Sequence, residues 1–182
     1  MSNYAKIKYF CTTNGDGIGT SIFLTGCPIH CKGCFNQNLW DPLAGAEITE
    51  NTVDKILISL SNEHVNHLSI LGGEPLASYN IQTTQYIVSK VREVYGMEKK
   101  IWIWTGYRYE DIINNYAIED KHYEKLFLSA ILNNIDYLVD GEFMEDKKEV
   151  DLVFKGSSNQ RIIDMKKTLA GYELHNVVIK ED

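Results

Sequence analysis

Apolar positions along the chain fall into two rhythms. Short β-rich runs are Ser21-Ile-Phe-Leu-Thr25, ended by Gly26, and His67-Leu-Ser-Ile-Leu71, stopped by Gly72-Gly73. Ile101-Trp-Ile-Trp104, Ile135-Asp-Tyr-Leu-Val139 and Leu152-Val-Phe154 read the same way, and Val177-Val-Ile179 offers a terminal strand. Between them the spacing becomes helical. From Thr49 to Leu60, Val53, Ile56, Leu57 and Leu60 follow the i, i+3, i+4, i+7 template, with Thr49 or Asn51 available as N-cap. From Asn80 to Tyr95, Ile81, Val88, Val91 and Tyr95 share one face, and Gly96 stands just past the end. Glu110 to Tyr116 and Tyr123 to Asn133 also read as helices. Strands separated by helices predict βα units and a parallel sheet.

Each predicted strand ends in a small or polar cluster: Gly26-Cys27, Gly72-Gly73-Glu74-Pro75, Thr105-Gly106-Tyr107, Asp140-Gly141-Glu142 and Gly156-Ser157-Ser158-Asn159. Parallel α/β folds build their sites at the carboxyl ends of strands, so these clusters converge on one rim. A closed eight-stranded barrel takes about 250 residues, more than the 182 present. The expected fold class is therefore α/β, an open partial (βα) barrel of about five to six parallel strands. With no linker, repeat or low-complexity tract, residues 1–182 are expected to form a single domain.

Composition narrows the function. Hydrophobic residues at 44% and charged residues at 24% are globular values, and exclude a disordered or fibrous chain. A net charge of −7 argues against nucleic acid or an anionic membrane surface as partner. No run approaches the roughly 18 apolar residues of a membrane helix. The start, Met-Ser-Asn-Tyr-Ala-Lys-Ile-Lys, lacks a signal peptide's apolar core, so the cytoplasm is the expected compartment.

The cysteines carry the chemistry. Cys27, Cys31 and Cys34 form C-x3-C-x2-C, while Cys11 stands apart. Three thiolates can hold three irons of a 4Fe–4S cubane and leave the fourth iron open, the mark of a catalytic rather than a structural site. Gly33 lets the backbone pass close to such a group. Two plainer readings exist: a structural zinc site with His30 or Cys11 as fourth ligand, and a redox dithiol of Cys31 and Cys34. Cys11 reads as a small buried hydrophobe.

A C-x3-C-x2-C loop after one strand, with Gly-Gly-Glu-Pro after the next, resembles the radical S-adenosylmethionine superfamily. That resemblance implies a cluster ligated by Cys27, Cys31 and Cys34, whose open iron chelates S-adenosylmethionine. One electron then cleaves the sulfonium to methionine and a 5′-deoxyadenosyl radical that abstracts hydrogen from substrate. It implies that Gly72, Gly73 and Glu74 approach the methionine end, where paired glycines expose carbonyls to an ammonium group and a carboxylate complements its charge. Gly33 stands where the family often has an aromatic residue, and Phe35 just after Cys34 is the candidate apolar wall for the adenine.

Further segments narrow the resemblance: Asn14-Gly-Asp-Gly-Ile-Gly19, Trp102-Ile-Trp-Thr-Gly-Tyr107, Leu138-Val-Asp-Gly141 and Lys155-Gly-Ser-Ser-Asn-Gln-Arg161. From about Asn14 to Ile163 the chain resembles the activating proteins of anaerobic (class III) ribonucleoside-triphosphate reductases. That implies an activase that removes a Cα hydrogen from a glycine of the large reductase subunit, served by an electron donor such as flavodoxin. Thr105 then contacts the ribose or carboxylate of the cofactor, against an ordinary strand terminus. Asp140 orients the cofactor or caps a helix, and Ser157, Ser158 and Asn159 line the nucleoside side or form a turn. Asp16 to Gly19 meets the incoming glycine loop or is a simple turn. One of the alternating pairs Trp102/Trp104 and Ile101/Ile103 is core, and Glu145 to Asp151 reads as a solvated loop. Rival readings are a pyruvate formate-lyase activase, a carboxy-deazaguanine synthase and a zinc-binding interaction domain.

Overall fold

The computed structural model describes residues 2–118, 122–171 and 177–180. Its frame is a seven-stranded sheet made of β1 (Asn3–Cys11), β2 (Gly19–Leu24), β3 (Ala46–Glu47), β4 (His67–Gly72), β5 (Lys100–Trp104), β6 (Tyr137–Asp140) and β7 (Arg161–Asp164). The helices are α1 (Glu50–Leu60), α2 (Ile81–Tyr95), α3 (Tyr109–Ile118), α4 (His122–Asn134) and α5 (Met165–Ala170). Strand order is β3-β1-β2-β4-β5-β6-β7.

The centre, β2-β4-β5-β6, is parallel, as the alternation of strands and helices predicts. The flanks are not. β1 runs antiparallel to β2, β3 antiparallel to β1, and β7 antiparallel to β6. The expected partial barrel of five to six parallel strands is therefore corrected to a mixed sheet with a parallel middle. The expected strand Leu152–Phe154 is irregular, because Phe154 takes a left-handed φ of 57° that an extended run cannot hold. The last sheet strand is Arg161–Asp164 instead, and the expected terminal strand reduces to a bridge between Ile163 and Ile179.

Local chemistry accounts for the helices. Thr49 is the N-cap of α1: its Oγ1 accepts from Thr52 N–H (3.4 Å), and Thr52 Oγ1 accepts from Thr49 N–H (3.2 Å). Gly96, at φ 52°, ends α2. Ile56 and Leu60 of α1 and Ile87 and Val91 of α2 are fully buried against Ile22, Leu68, Ile70, Ile101 and Ile103 of the sheet. Each such side chain contributes about 1.5–3 kcal/mol. The other face carries a smaller cluster of Trp102, Val139 and Ile162, with Trp104, Tyr137 and Phe154 packed on it. Both alternating pairs of β5 thus face apolar surroundings, Ile101 and Ile103 toward the helices and the tryptophans toward the aromatic cluster.

The reversed β7 sets how the chain returns to the rim. Arg161 pairs with Asp140, so the start of β7 lies beside the end of β6. Residues 156–160 reach the carboxyl rim by running into an antiparallel strand rather than out of a parallel one.

Candidate active site

The cysteine loop leaves β2 at the rim. Gly26 N–H donates to Leu39 O (2.8 Å) and Cys27 N–H to Trp40 O (3.1 Å), which pins its entry to the short 3-10 turn Gln37–Leu39. The His30 ring stacks on Trp40 at 4.4 Å. Cys34 N–H donates to Cys31 O (3.2 Å), a tight turn joining the last two cysteines, and Asn36 N–H donates to Cys34 Sγ (3.4 Å). Cys31 is buried; Cys27 and Cys34 are half-buried.

Burial pushes the Cys27 thiol up, against the amides of Ile29 and His30, with Glu74 and Cys34 adding to the rise. Burial pushes Cys31 up to about 11, against the amide of Phe143, with Glu142, Cys27 and Cys34 adding. Without metal these two thiols keep their protons at neutral pH, and a soft metal takes the proton's place. Three soft donors that feel one another's charge, with backbone amides directed at sulfur, fit an iron–sulfur cluster. Both candidate fourth ligands for zinc are placed otherwise. His30 is engaged on Trp40, and Cys11 pairs with Gly19 at the opposite end of β2. Among the described residues, no three His, Cys, Asp or Glu side chains close on a point that one metal ion could occupy.

The turn after β4 lies against the start of this loop. Gly73 N–H donates to Leu24 O (2.8 Å) and Glu74 N–H to Gly26 O (2.7 Å). A side chain on Gly73 would collide with Gly26 O, and Gly72 holds a φ of 112°, so the paired glycines let two main chains touch. Glu74 is 1% exposed. Its Oε1 accepts from Leu76 N–H (2.9 Å) and Thr105 Oγ1–H (2.8 Å), and its Oε2 from Gly106 N–H (2.8 Å). Burial raises its pKa to about 7 despite these donors. Both Glu74 and Thr105 therefore join the β4 and β5 rim turns to each other. Asn80, which the sequence marks only as a helix start, is the residue missed. Its buried Nδ2 donates to Thr25 O (2.9 Å) and Glu74 O (3.0 Å), clasping the ends of β2 and β4.

Asp140 takes the helix-cap role: Oδ2 accepts from Tyr109 N–H (2.9 Å) at the start of α3, and Oδ1 from Arg161 Nε–H (3.0 Å). Arg161 also forks onto Glu110 (2.9 and 2.8 Å), whose carboxyl that hydrogen bonding holds at about 2. Between the cysteine loop and these strand ends lies a cavity of about 450 Å³, bordered by Ile29, Gly106, Asp140, Asn159 and Arg161. Phe35 is 63% exposed, its ring 5.1 Å from that of Phe143 and below Lys148. Asp16 to Gly19 lies at the far rim, where Asp16 O bonds to His67 Nδ1 (3.1 Å) and Asp16 pairs with Lys180 (3.3 Å). The structure thus joins Gly72, Gly73, Glu74 and Thr105 to the start of the cysteine loop, packs Phe35 on Phe143 away from them, and leaves the turn expected to meet the glycine loop at the other rim.

Comparison with known proteins adds the family. The model of the 4Fe-4S single cluster domain matches residues 13–163. A protein of Enterobacteria phage T4 is 34% identical over 88% of this chain and 92% of its own length. Relatives from Vibrio cholerae and Escherichia coli K12 are each 32% identical, over 88% and 87% of this chain and 96% of their own lengths. All three bear the name anaerobic ribonucleoside-triphosphate reductase-activating protein. By the length and identity of these matches, this chain belongs to the 4Fe-4S single cluster domain family and, within it, to the anaerobic ribonucleoside-triphosphate reductase-activating proteins.

Proposed function

We propose that this chain is a glycyl-radical-enzyme activase of the radical S-adenosylmethionine type, acting on an anaerobic ribonucleoside-triphosphate reductase. The observation that carries the reading is a three-cysteine loop at the strand-end rim, in a chain whose relatives bear that name along nearly their full length. When bound, the cluster supplies a single electron and S-adenosylmethionine supplies the hydrogen-abstracting group.

The protein's own residues hold and orient. Cys27, Cys31 and Cys34 ligate the cluster, and the amides near their sulfurs stabilise the thiolate form. Gly72, Gly73 and Glu74 form the wall for the methionine end of the cofactor. Thr105, tied to Glu74, fixes the turn that borders the cavity beside Ile29. That cavity has the size of small-molecule sites, which supports it as the nucleoside pocket. A one-electron carrier such as flavodoxin serves as reductant, in the cytoplasm. No helix among the described residues is long and apolar enough to cross a membrane.

The test is anaerobic incubation with S-adenosylmethionine, a reductant and the reductase, read by electron paramagnetic resonance. A carbon-centred glycyl signal dependent on all components is the expected outcome; its absence with a fully loaded cluster overturns the reading.

A further inference from the structure

The segment from Gly141 to Lys148 follows β6 and crosses beside the cysteine loop. The Phe143 ring packs on Phe35, next to Cys34, at 5.1 Å, and Lys148 Nζ sits 4.7 Å from the centre of the Phe35 ring. A side chain on Gly33 would come within 2.7 Å of the Glu145 carboxylate. Two residues of the cysteine stretch, Gly33 and Phe35, are thus met by side chains of one segment.

What holds the segment there is the run Gly156–Gln160. Ser157 Oγ accepts from Met144 N–H (3.1 Å), and Ser158 N–H donates to Lys147 O (2.8 Å). Asn159 Nδ2 donates to Glu142 O (2.8 Å) and Gln160 Nε2 to Gly141 O (2.8 Å). Gln160 Oε1 accepts from Gly156 N–H (2.7 Å), which closes the run on itself. Gly156 has a positional reason: a Cβ there would meet the Phe143 ring at 3.1 Å. Four successive residues thus bond to the main chain of one neighbouring segment, more than a turn needs for its own closure.

We propose that Gly156–Gln160 is a buckle and Gly141–Lys148 a strap, with Phe143 the positioning residue that presses the strap on Phe35 and steadies the cysteine loop, so that the cluster it holds is lost more slowly in air. This inference rests on the reading of the loop as the cluster site.

The experiment reconstitutes the full chain without oxygen, measures iron and visible absorbance, and follows bleaching on admission of air. Phe143→Ala and Ser157→Ala load iron like the wild type but bleach about tenfold faster, the lower end of what losing outer-shell support costs. Phe143→Tyr, which keeps the ring, bleaches at the wild-type rate. Phe35→Ala removes an exposed ring, leaves folding intact and repeats the Phe143→Ala result. Wild-type bleaching rates in Phe143→Ala and Phe35→Ala overturn the strap while leaving the cluster reading in place; a wild-type protein that takes up no iron overturns both.

Discussion

Two buried carboxylates at opposite ends of the parallel sheet, Asp136 and Glu74, are held in opposite ways. At the amino end, Asp136 is 3% exposed and ringed by cations: Arg92 at 2.6 Å, Lys166 at 3.2 Å and Lys100 at 3.3 Å, with the Ile101 amide at 2.9 Å. Burial works against its charge, but the Ile101 amide and the Arg92 guanidinium win, and its pKa falls. At the carboxyl end, Glu74 is as deeply buried and the polar groups bonded to its carboxylate are two amides and a hydroxyl. There burial wins and the pKa rises. Asp136 holds the sheet together, whereas Glu74 keeps a carboxylate at a cost to stability, and it stands beside the cysteine loop. A costly group at a rim of strand ends marks the place where function constrains sequence.

The comparison can be broken most completely at the functional end. Cys31→Ala abolishes the visible absorbance of the reconstituted cluster, while the circular dichroism spectrum of the protein stays that of the wild type. At the other end, Asp136→Ala leaves Arg92 buried without its partner and costs about 3–5 kcal/mol, read as a lower urea midpoint. The pH dependence of the metal-free protein sharpens the contrast. The fold raises the Glu74 pKa from 4.5 to about 7. Its contribution is therefore fullest below pH 4.5 and is lost as pH rises through about 7, on the order of 3 kcal/mol. Glu74→Gln flattens the urea stability profile over that window. Asp136 has the opposite sign: its contribution is present above its ordinary 3.8 and is lost as the solution is acidified below it. The smallest effect belongs to the exposed Lys90–Glu93 pair, where Glu93→Gln leaves the urea midpoint close to that of the wild type.

The parallel centre was legible in the sequence because each strand is a short apolar run with a glycine or polar stop, and α1 and α2 have a clean helical face. The cysteine loop was legible because three soft ligands at close spacing have few uses other than metal or redox chemistry. The antiparallel flanks were not. In β1, lysines alternate with apolar residues at a half-exposed edge, and register shifts interrupt its pairing, so no single period runs through it. β7 buries only Ile162 and Ile163, too short a signal to separate from a loop. Asn80 carries no signal at all, since an asparagine before a helix reads as a cap; only the fold shows that its side chain instead bonds the carbonyls of Thr25, Gly26 and Glu74. The Gly-Ser-Ser-Asn-Gln run was visible as a motif, but its partners lie 11 to 19 residues earlier, beyond any local rule.

The backward course of β7 has an architectural consequence. The stretch between Asp140 and Arg161 leaves the sheet and returns to it at neighbouring positions. Its exposed middle, residues 149–151 between strap and buckle, can therefore grow or shrink without shifting the register of the inner strands, since loop length adds little entropic cost. Descendants of this scaffold could refit the mouth of the site to a new client by editing that excursion alone.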